Sequence, residues 1–571
     1  MFIKDFSSNA KFKLAGVFLS VFLCGLSLAI IPSERLKSFY YVSGFYFIFA
    51  TFLFWVFMLL PRQTSKDEVK AFLVKHGAVA LLIPLLIGAM FLASPMAFRI
   101  LADETNLLGI AASMYDEHSF NNMTSGLYYF DNYHKVHQVW GIRPIFFPFL
   151  IYLVHTLTGY SAYNGFIVNA IAGAATLWCF YWLLSRWFVR SVAVSGMLVM
   201  AAFPVFVLWV TSTGFEIVNV ALAVMAFIWF YRFLEERDNH NLERLLLTLA
   251  LLAQTRYESA VFAVGILTVV AITFRRKEYE NLTLRVLIIP WLFLPVLWQR
   301  LLKTSASDYQ VYNGQQVFSL ENFLKHARFA FDYFIGSEPR YGTIPVVSYL
   351  AVAGLAVGLF LLWRNRRSLP TTLWGMAVAA TVSYVLLCVA VFSYFWGNLT
   401  SPFTIRLGIV FIPLLVLLFI IPLNLLVRRS QSAQKMLLLS AIAIIFFHWP
   451  AAGKNESVTQ LTLYRQYRTT VSFLEQNYPD PNIVIIADRP GLYSAHRWGA
   501  VKFNYANQHH QRMKRELKRR LYQDILVIQL IQDKDGKPLK EQTLDPAFRL
   551  KTIFESQHSA TKITRISKVI L

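Results

Sequence analysis

At 571 residues, 56% hydrophobic and 16% aromatic, with a mean hydropathy of +0.48, the chain is too apolar for a soluble enzyme and reads as a multi-span membrane protein. Its net charge of +22 is carried in loops between apolar runs, as the positive-inside rule produces, so no nucleic-acid partner is expected. Cys24, Cys179 and Cys388 all lie within apolar runs and form neither a disulfide framework nor a metal cluster by spacing.

Apolar runs of spanning length fall near residues 14–31, 39–61, 77–96, 162–184, 192–212, 215–234, 242–255, 257–274, 284–302, 344–363, 370–397, 404–427 and 435–452. They predict about thirteen spans within residues 1–452. Residues 1–31 look superficially like a signal peptide, but the apolar run is long and no small-x-small cleavage site follows, so it reads as a retained first span. With the N-terminus cytoplasmic, the short basic loops around Lys66, Arg186, Arg275, Arg366 and Arg429 all fall on the inner side. That agreement holds only if PIFFPFLIYLVHTLTG, residues 144–159, is an interfacial helix along the outer leaflet and not a crossing.

Three pieces then lie outside: residues 97–143, residues 303–343 and a C-terminal domain over 453–571. In the last, NIVIIAD and DILVIQLI read as buried strands of a small α/β domain, preceded by the amphipathic stretch YRQYRTTVSFLEQ. The basic cluster HHQRMKRELKRR, residues 509–520, suits anionic headgroups.

There is no P-loop, HExxH, Gly-x-Ser-x-Gly or dinucleotide glycine motif, which argues against an ATP-driven pump or a standard hydrolase. What remains is a set of polar residues at predicted outer span ends. Asp103 and Glu104 directly follow a spanning run. Arg143-Pro144 opens the interfacial helix, where an arginine opposes the helix dipole and calls for another partner, such as a lipid phosphate. Arg256 and Glu258 sit in an outer turn; ionisable groups this close to a membrane are costly unless paired or placed in a wet cavity. Glu216, Arg300, Lys303, Arg340, Tyr341 and Arg406 also lie at outer ends. His118, His134 and His137 share the first outer loop with Asp116, Glu117 and Asp131, where a divalent metal is possible although the spacing matches no known ligand pattern.

An acid pair after an early span, a long outer loop, a basic-Pro segment opening an interfacial helix that ends at Thr158-Gly159-Tyr160, and a soluble tail outside together resemble the GT-C superfamily of membrane glycosyltransferases. The pattern is closest to protein O-mannosyltransferases and lipid A aminoarabinose transferases. Two spans precede the one leading to the acid pair, where many members have one, and Ile145 replaces the second proline of their Lys-Pro-Pro-like segment. The resemblance implies a polytopic, mainly α GT-C bundle that moves a sugar from a polyprenyl-phosphate donor to a lipid, glycan or protein hydroxyl on the outer face of a plasma (bacterial inner) membrane, with inversion. Under it Asp103 is the general base with Glu104 as support or metal ligand, and Arg143, Arg256, Arg340 and Arg406 hold the donor phosphate. Glu258, His137 and Tyr341 support them. A lipid-linked glycan flippase, or a glycan polymerase or ligase centred on the 303–343 loop, is the alternative.

Overall fold

A computed structural model describes residues 10–60, 66–130, 132–141, 143–274, 282–298, 316–336, 342–453, 461–532, 538–559 and 562–570. The chain divides into two compact units. One is helical and takes Met1–Ala97, Pro144–Phe147 and Phe166–Glu456; the other takes Phe98–Arg143, Pro148–Gly165 and Ser457–Leu571.

Among the described residues of the helical unit, eight helices are long and apolar enough to cross a membrane: Glu34–Leu59, Val74–Ala93, Asn164–Leu184, Glu216–Glu236, Pro345–Arg364, Thr371–Ser393, Ile405–Val427 and Gln431–Gly453. A ninth is made if Arg190–Ala202 and Pro204–Val210 count as one span bent by 72°. The bend falls where Pro204, with no N–H to donate, opens the second piece. Other expected spans are shorter: Asn239–Ala253, capped by the Asp238 side chain, and Tyr257–Thr273. The described part of the 284–302 run is broken into a 3-10 turn at Leu284–Leu287 and helical turns at Ile289–Leu292 and 294–298.

Outward-facing leucines and phenylalanines such as Leu85, Leu92, Phe446 and Phe447 are exposed on the outer helices, where lipid is their natural solvent. The Glu216–Glu236 helix is the opposite case. It is 83% buried along its apolar stretch and forms the centre of the unit, so Glu216 at its N-terminal end is shielded, whereas Glu235 and Glu236 at the other end are exposed. Close crossings rely on missing side chains: a Cβ on Gly265 would lie 2.6 Å from the Ser383 Cα, and this lets the Tyr257–Thr273 and Thr371–Ser393 helices touch backbone to backbone.

The second unit is built on one seven-stranded sheet of order β2-β1-β4-β3-β5-β7-β6, with β1 Asn121–Tyr129, β2 Asn132–Trp140, β3 Ile483–Ile486, β4 Gly499–Val501, β5 Asp524–Gln532, β6 Arg549–Ser559 and β7 Lys562–Ile570. The two predicted strands are β3 and β5, paired in parallel, and the amphipathic stretch is the Leu461–Asn477 helix. The C-terminal tail enters this unit at Ser457, and the unit also takes residues from further back in the chain. The hairpin β1-β2 from the first loop adds to the sheet through Gly126 and Ala500, and Leu127 joins the same apolar core as Val484, Ile486 and Val527. The predicted interfacial helix is Phe146–Thr158, 13 residues long and so about 20 Å, short of the roughly 30 Å hydrocarbon core.

Candidate functional site

Within the sheet-bearing unit, the Leu101–Glu117 helix carries Asp103 and Glu104 in its first turn, where the helix dipole favours negative charge. Both side chains are buried, Glu104 almost completely. The guanidinium of Arg143 forms an ion pair with Oδ1 of Asp103. The hairpin makes this pairing possible: it turns at Phe130, in the left-handed region at φ 50°, and brings the chain back alongside the helix. Gly109 permits the close approach, because a Cβ there would come within 2.3 Å of the Asn122 side chain on β1. Asn122 in turn donates to Asn106 at 2.9 Å.

The far end of the same helix is also clamped. Asp116 accepts two hydrogen bonds, at 2.8 and 2.6 Å, from Arg497 of the C-terminal chain, and the Arg497 guanidinium lies 4.0 Å over the Tyr160 ring. Arg497 adopts φ 69°, a left-handed backbone that an arginine holds only when its surroundings enforce it. Lys135 on β2 pairs with Glu117 at 2.9 Å and donates to Ser113; burial pushes its ammonium below the usual value, against the pull of Glu117. Two strands' worth of loop therefore fix the acid-bearing helix at both ends.

The helical unit holds a second cluster. Glu216 opens the central helix and is 1% exposed; its Oε1 accepts from Arg256 at 2.8 Å and from Arg406 at 3.4 Å. Arg256 is the N-cap residue of Tyr257–Thr273 and turns its Nε onto Glu258 in that helix's first turn, while Arg406 comes from the 3-10 segment Ile405–Phe411. The Phe215 ring lies 4.6 and 5.8 Å from the two guanidinium carbons. Two arginines and two glutamates balance, so the cluster carries no net charge. Burying four charges is nevertheless expensive, and it adds little stability over apolar packing, so a functional reason is the default for such a group at a membrane-embedded helix end. Arg256, Glu258 and Arg406, with Asn219 and Ser259, line a cavity closed by Phe262, Leu387 and Val391.

The sequence-expected residues thus fall into two groups. Arg256, Glu258 and Arg406 share one cavity, and Asp103 and Arg143 form a pair within the other unit. His137 bonds Thr124 across the hairpin. Arg300, Lys303, Arg340 and Tyr341 lie outside the described residues, as do 303–315 and 337–341 of the 303–343 loop, whose middle forms the helix Leu320–Ile335. In the possible metal set, Asp116 is engaged by Arg497 and Glu117 by Lys135, Asp131 lies outside the described residues, and no group of three or more His, Cys, Asp or Glu among the described residues is close enough to hold an ion.

Two polar residues, Asn219 and Asn169, escaped the sequence reading. Asn219 accepts from Ser259 at 2.5 Å inside the cavity, and Asn169 donates to the Ser212 and Gly214 carbonyls at 2.8 Å, holding the turn that presents Glu216. The available signal was an amide inside a spanning run, where each unpaired polar group is costly.

The model of the dolichyl-phosphate-mannose-protein mannosyltransferase family matches residues 142–298, a stretch that includes Arg143, Glu216, Arg256 and Glu258. No curated protein matches the chain. Among solved structures, ArnT from Cupriavidus metallidurans in the apo state has a TM-score of 0.50 at 13% identity, covering 87% of this chain and 98% of that one. The same protein bound to undecaprenyl phosphate gives 0.47 at 14% over the same shares. The oligosaccharyltransferase of Archaeoglobus fulgidus tethered with an acceptor peptide gives 0.46 at 12%, over 80% of this chain and 69% of that one. The chain is a multi-pass membrane protein with the GT-C fold.

Proposed function

We propose that this chain, with the fold of the GT-C membrane glycosyltransferases, transfers a sugar from a polyprenyl-phosphate donor to a hydroxyl of a lipid, glycan or protein acceptor on the outer face of the membrane. The observation that carries this reading is the convergence of Arg256 and Arg406, which line a cavity near the end of the central helix, on one buried carboxylate oxygen of Glu216. An anion with several oxygens suits two such forks, and arginine suits phosphate by presenting paired N–H donors in a plane. Glu216 and Glu258 hold the forks in place and offset their charge before a donor arrives.

The reaction is a single displacement at the anomeric carbon. The acceptor hydroxyl gives its proton to a carboxylate, its oxygen forms the new C–O bond, and the phosphate oxygen leaves with the bonding electrons, so the configuration inverts. Asp103 is the proposed base, oriented by Arg143 with Glu104 beside it in sequence. The ion pair with Asp103 supports giving Arg143 the role of holding this carboxylate rather than the donor phosphate. Arg256 and Arg406 stabilise the departing phosphate. The test is transfer from a radiolabelled polyprenyl-phosphate sugar to candidate acceptors by purified protein, comparing wild type with Asp103→Asn. Loss of transfer by at least a hundredfold, the usual scale for a general base, is expected, with donor binding kept. Full transfer by the variant would remove Asp103 from the mechanism, and movement of intact lipid-linked glycan without transfer would make the protein a flippase.

A further inference from the structure

The helical unit carries a second cationic cluster that plays no part in the reaction proposed above. The indole of Trp182, in the last turn of Asn164–Leu184, has the Arg186 guanidinium 4.2 Å from its centroid and that of Arg232 at 5.1 Å. The two guanidinium carbons are therefore no more than about 9 Å apart, and neither arginine side chain has a hydrogen-bonded or ion-paired partner among the described residues. Lys75 and Arg190 lie at the same end of the bundle: Lys75 precedes His76, whose Nδ1 is 3.0 Å from the hydroxyl of Tyr181, the residue before Trp182, and Arg190 opens the Arg190–Ala202 helix. The acids at this end bond other groups and form no ion pair with either arginine among the described residues: Glu235 accepts from the Tyr231 hydroxyl at 2.9 Å, Glu236 from Asn241 at 2.6 Å, and Asp238 caps its own helix.

Like charges gathered on one ring call for an anion. Stacking leaves the guanidinium edges, with their N–H donors, directed away from the ring. Phe72 and Val74, one helical turn or less from Lys75, are exposed apolar side chains, so the cationic group is bordered by surface suited to acyl chains. Arg232 lies sixteen residues after Glu216 on one straight helix, about 24 Å along its axis, which puts this cluster at the opposite end of the span from the Arg256 cavity. Basic pockets between spanning helices at a membrane surface are known receivers of anionic headgroups.

We propose that Arg186 and Arg232, held against Trp182, form with Lys75 and Arg190 at the same helix ends a headgroup site for an anionic phospholipid of the leaflet opposite the Arg256 cavity. The phosphodiester accepts from the guanidinium edges and the acyl chains lie along Phe72 and Val74. The site is independent of the transfer reaction.

Native mass spectrometry and thermal unfolding of the full chain in detergent test it, with dioleoylphosphatidylglycerol against dioleoylphosphatidylcholine. Wild type should retain phosphatidylglycerol about tenfold more tightly. Arg186→Gln with Arg232→Gln should erase that preference, whereas Arg364→Gln with Arg366→Gln, at another basic helix end, should leave it. Should the first pair fail to fold, Lys75→Gln with Arg190→Gln is expected to reduce the preference in its place. Equal retention of the two lipids by wild type overturns the proposal, as does equal loss in the Arg364/Arg366 control. An equal stabilisation by inorganic phosphate would assign the cluster to a free anion and overturn the lipid.

Discussion

The side chain that most constrains the proposed chemistry is Arg256. Its Nε meets Glu258, its Nη1 meets Glu216, and its guanidinium packs on Phe215, so three contacts depend on a planar fork. Lysine keeps the charge but offers a single point. Arg256→Lys is expected to keep the fold while lowering transfer by roughly ten- to a hundredfold, mainly through a weaker hold on the donor phosphate, because bidentate and stacked sites do not tolerate this exchange. Arg256→Ala should do worse, since Glu216 would keep only the longer contact to Arg406, and breaking a buried pair costs about 3 kcal/mol or more. Activity assays beside thermal unfolding separate the two effects, and wild-type transfer by the lysine variant would refute the phosphate role. Asp103 and Arg256 were legible in the sequence because ionised groups next to spanning runs are rare and costly. Their partners were legible there too, but the long-range pairings were not. Arg143 reaches Asp103 only because the hairpin reverses the chain between them, and Arg406 reaches Glu216 across 190 residues of sequence, distances no local pattern encodes.

At the scale of elements, the short apolar runs IVII and DILVIQLI announced β3 and β5, whereas β1, β2, β6 and β7 passed unread. Those four form two hairpins; β2, β6 and β7 carry several Tyr, His, Lys or Arg, β1 is polar but mostly buried, and their alternation is blurred by the register shifts in β1-β2 and β6-β7. The consequence concerns the Phe146–Thr158 helix, which is tied into the same unit through His155. Asn164 Nδ2 donates to the Gly159 carbonyl at 2.9 Å and also lies 2.8 Å from His155 Nδ1, so the amide fixes that ring nitrogen as an acceptor and the ring as neutral. Burial pushes the His155 imidazole down to about 4, with Arg497 acting in the same direction and Asp116 against it. An unfolded histidine titrates near 6.5. The folded form thus takes up its proton later than the unfolded one, and the stability this group contributes is present above about pH 6.5 and is lost as pH falls toward 4. Thermal unfolding followed from pH 7.5 to 4.5 should show the midpoint falling through that window, and His155→Gln should flatten the fall. An unchanged slope in the variant would assign the acid sensitivity to other groups.

For the whole molecule, fold class was the most legible level, because spanning runs and the sidedness of basic loops are set by bilayer thickness and charge rather than by particular contacts. The inference that reaches furthest from that level is the reading of PIFFPFLIYLVHTLTG as lying along the membrane. Its helix is 13 residues, roughly two thirds of a crossing, and it ends at Gly159, whose φ of +87° suits glycine and stops the helix. His155 and Asn164 are buried against polar partners at its far end, which a lipid-spanning segment of this length would have to carry into hydrocarbon. Single cysteines at Phe130 and Ser161, in a chain with Cys24, Cys179 and Cys388 replaced, should therefore react with a membrane-impermeant reagent from the same face of sealed vesicles. Labelling from opposite faces would make the helix a crossing. It would also invert every later loop, placing Arg186 and Arg366 outside and leaving the charge distribution without its physical cause.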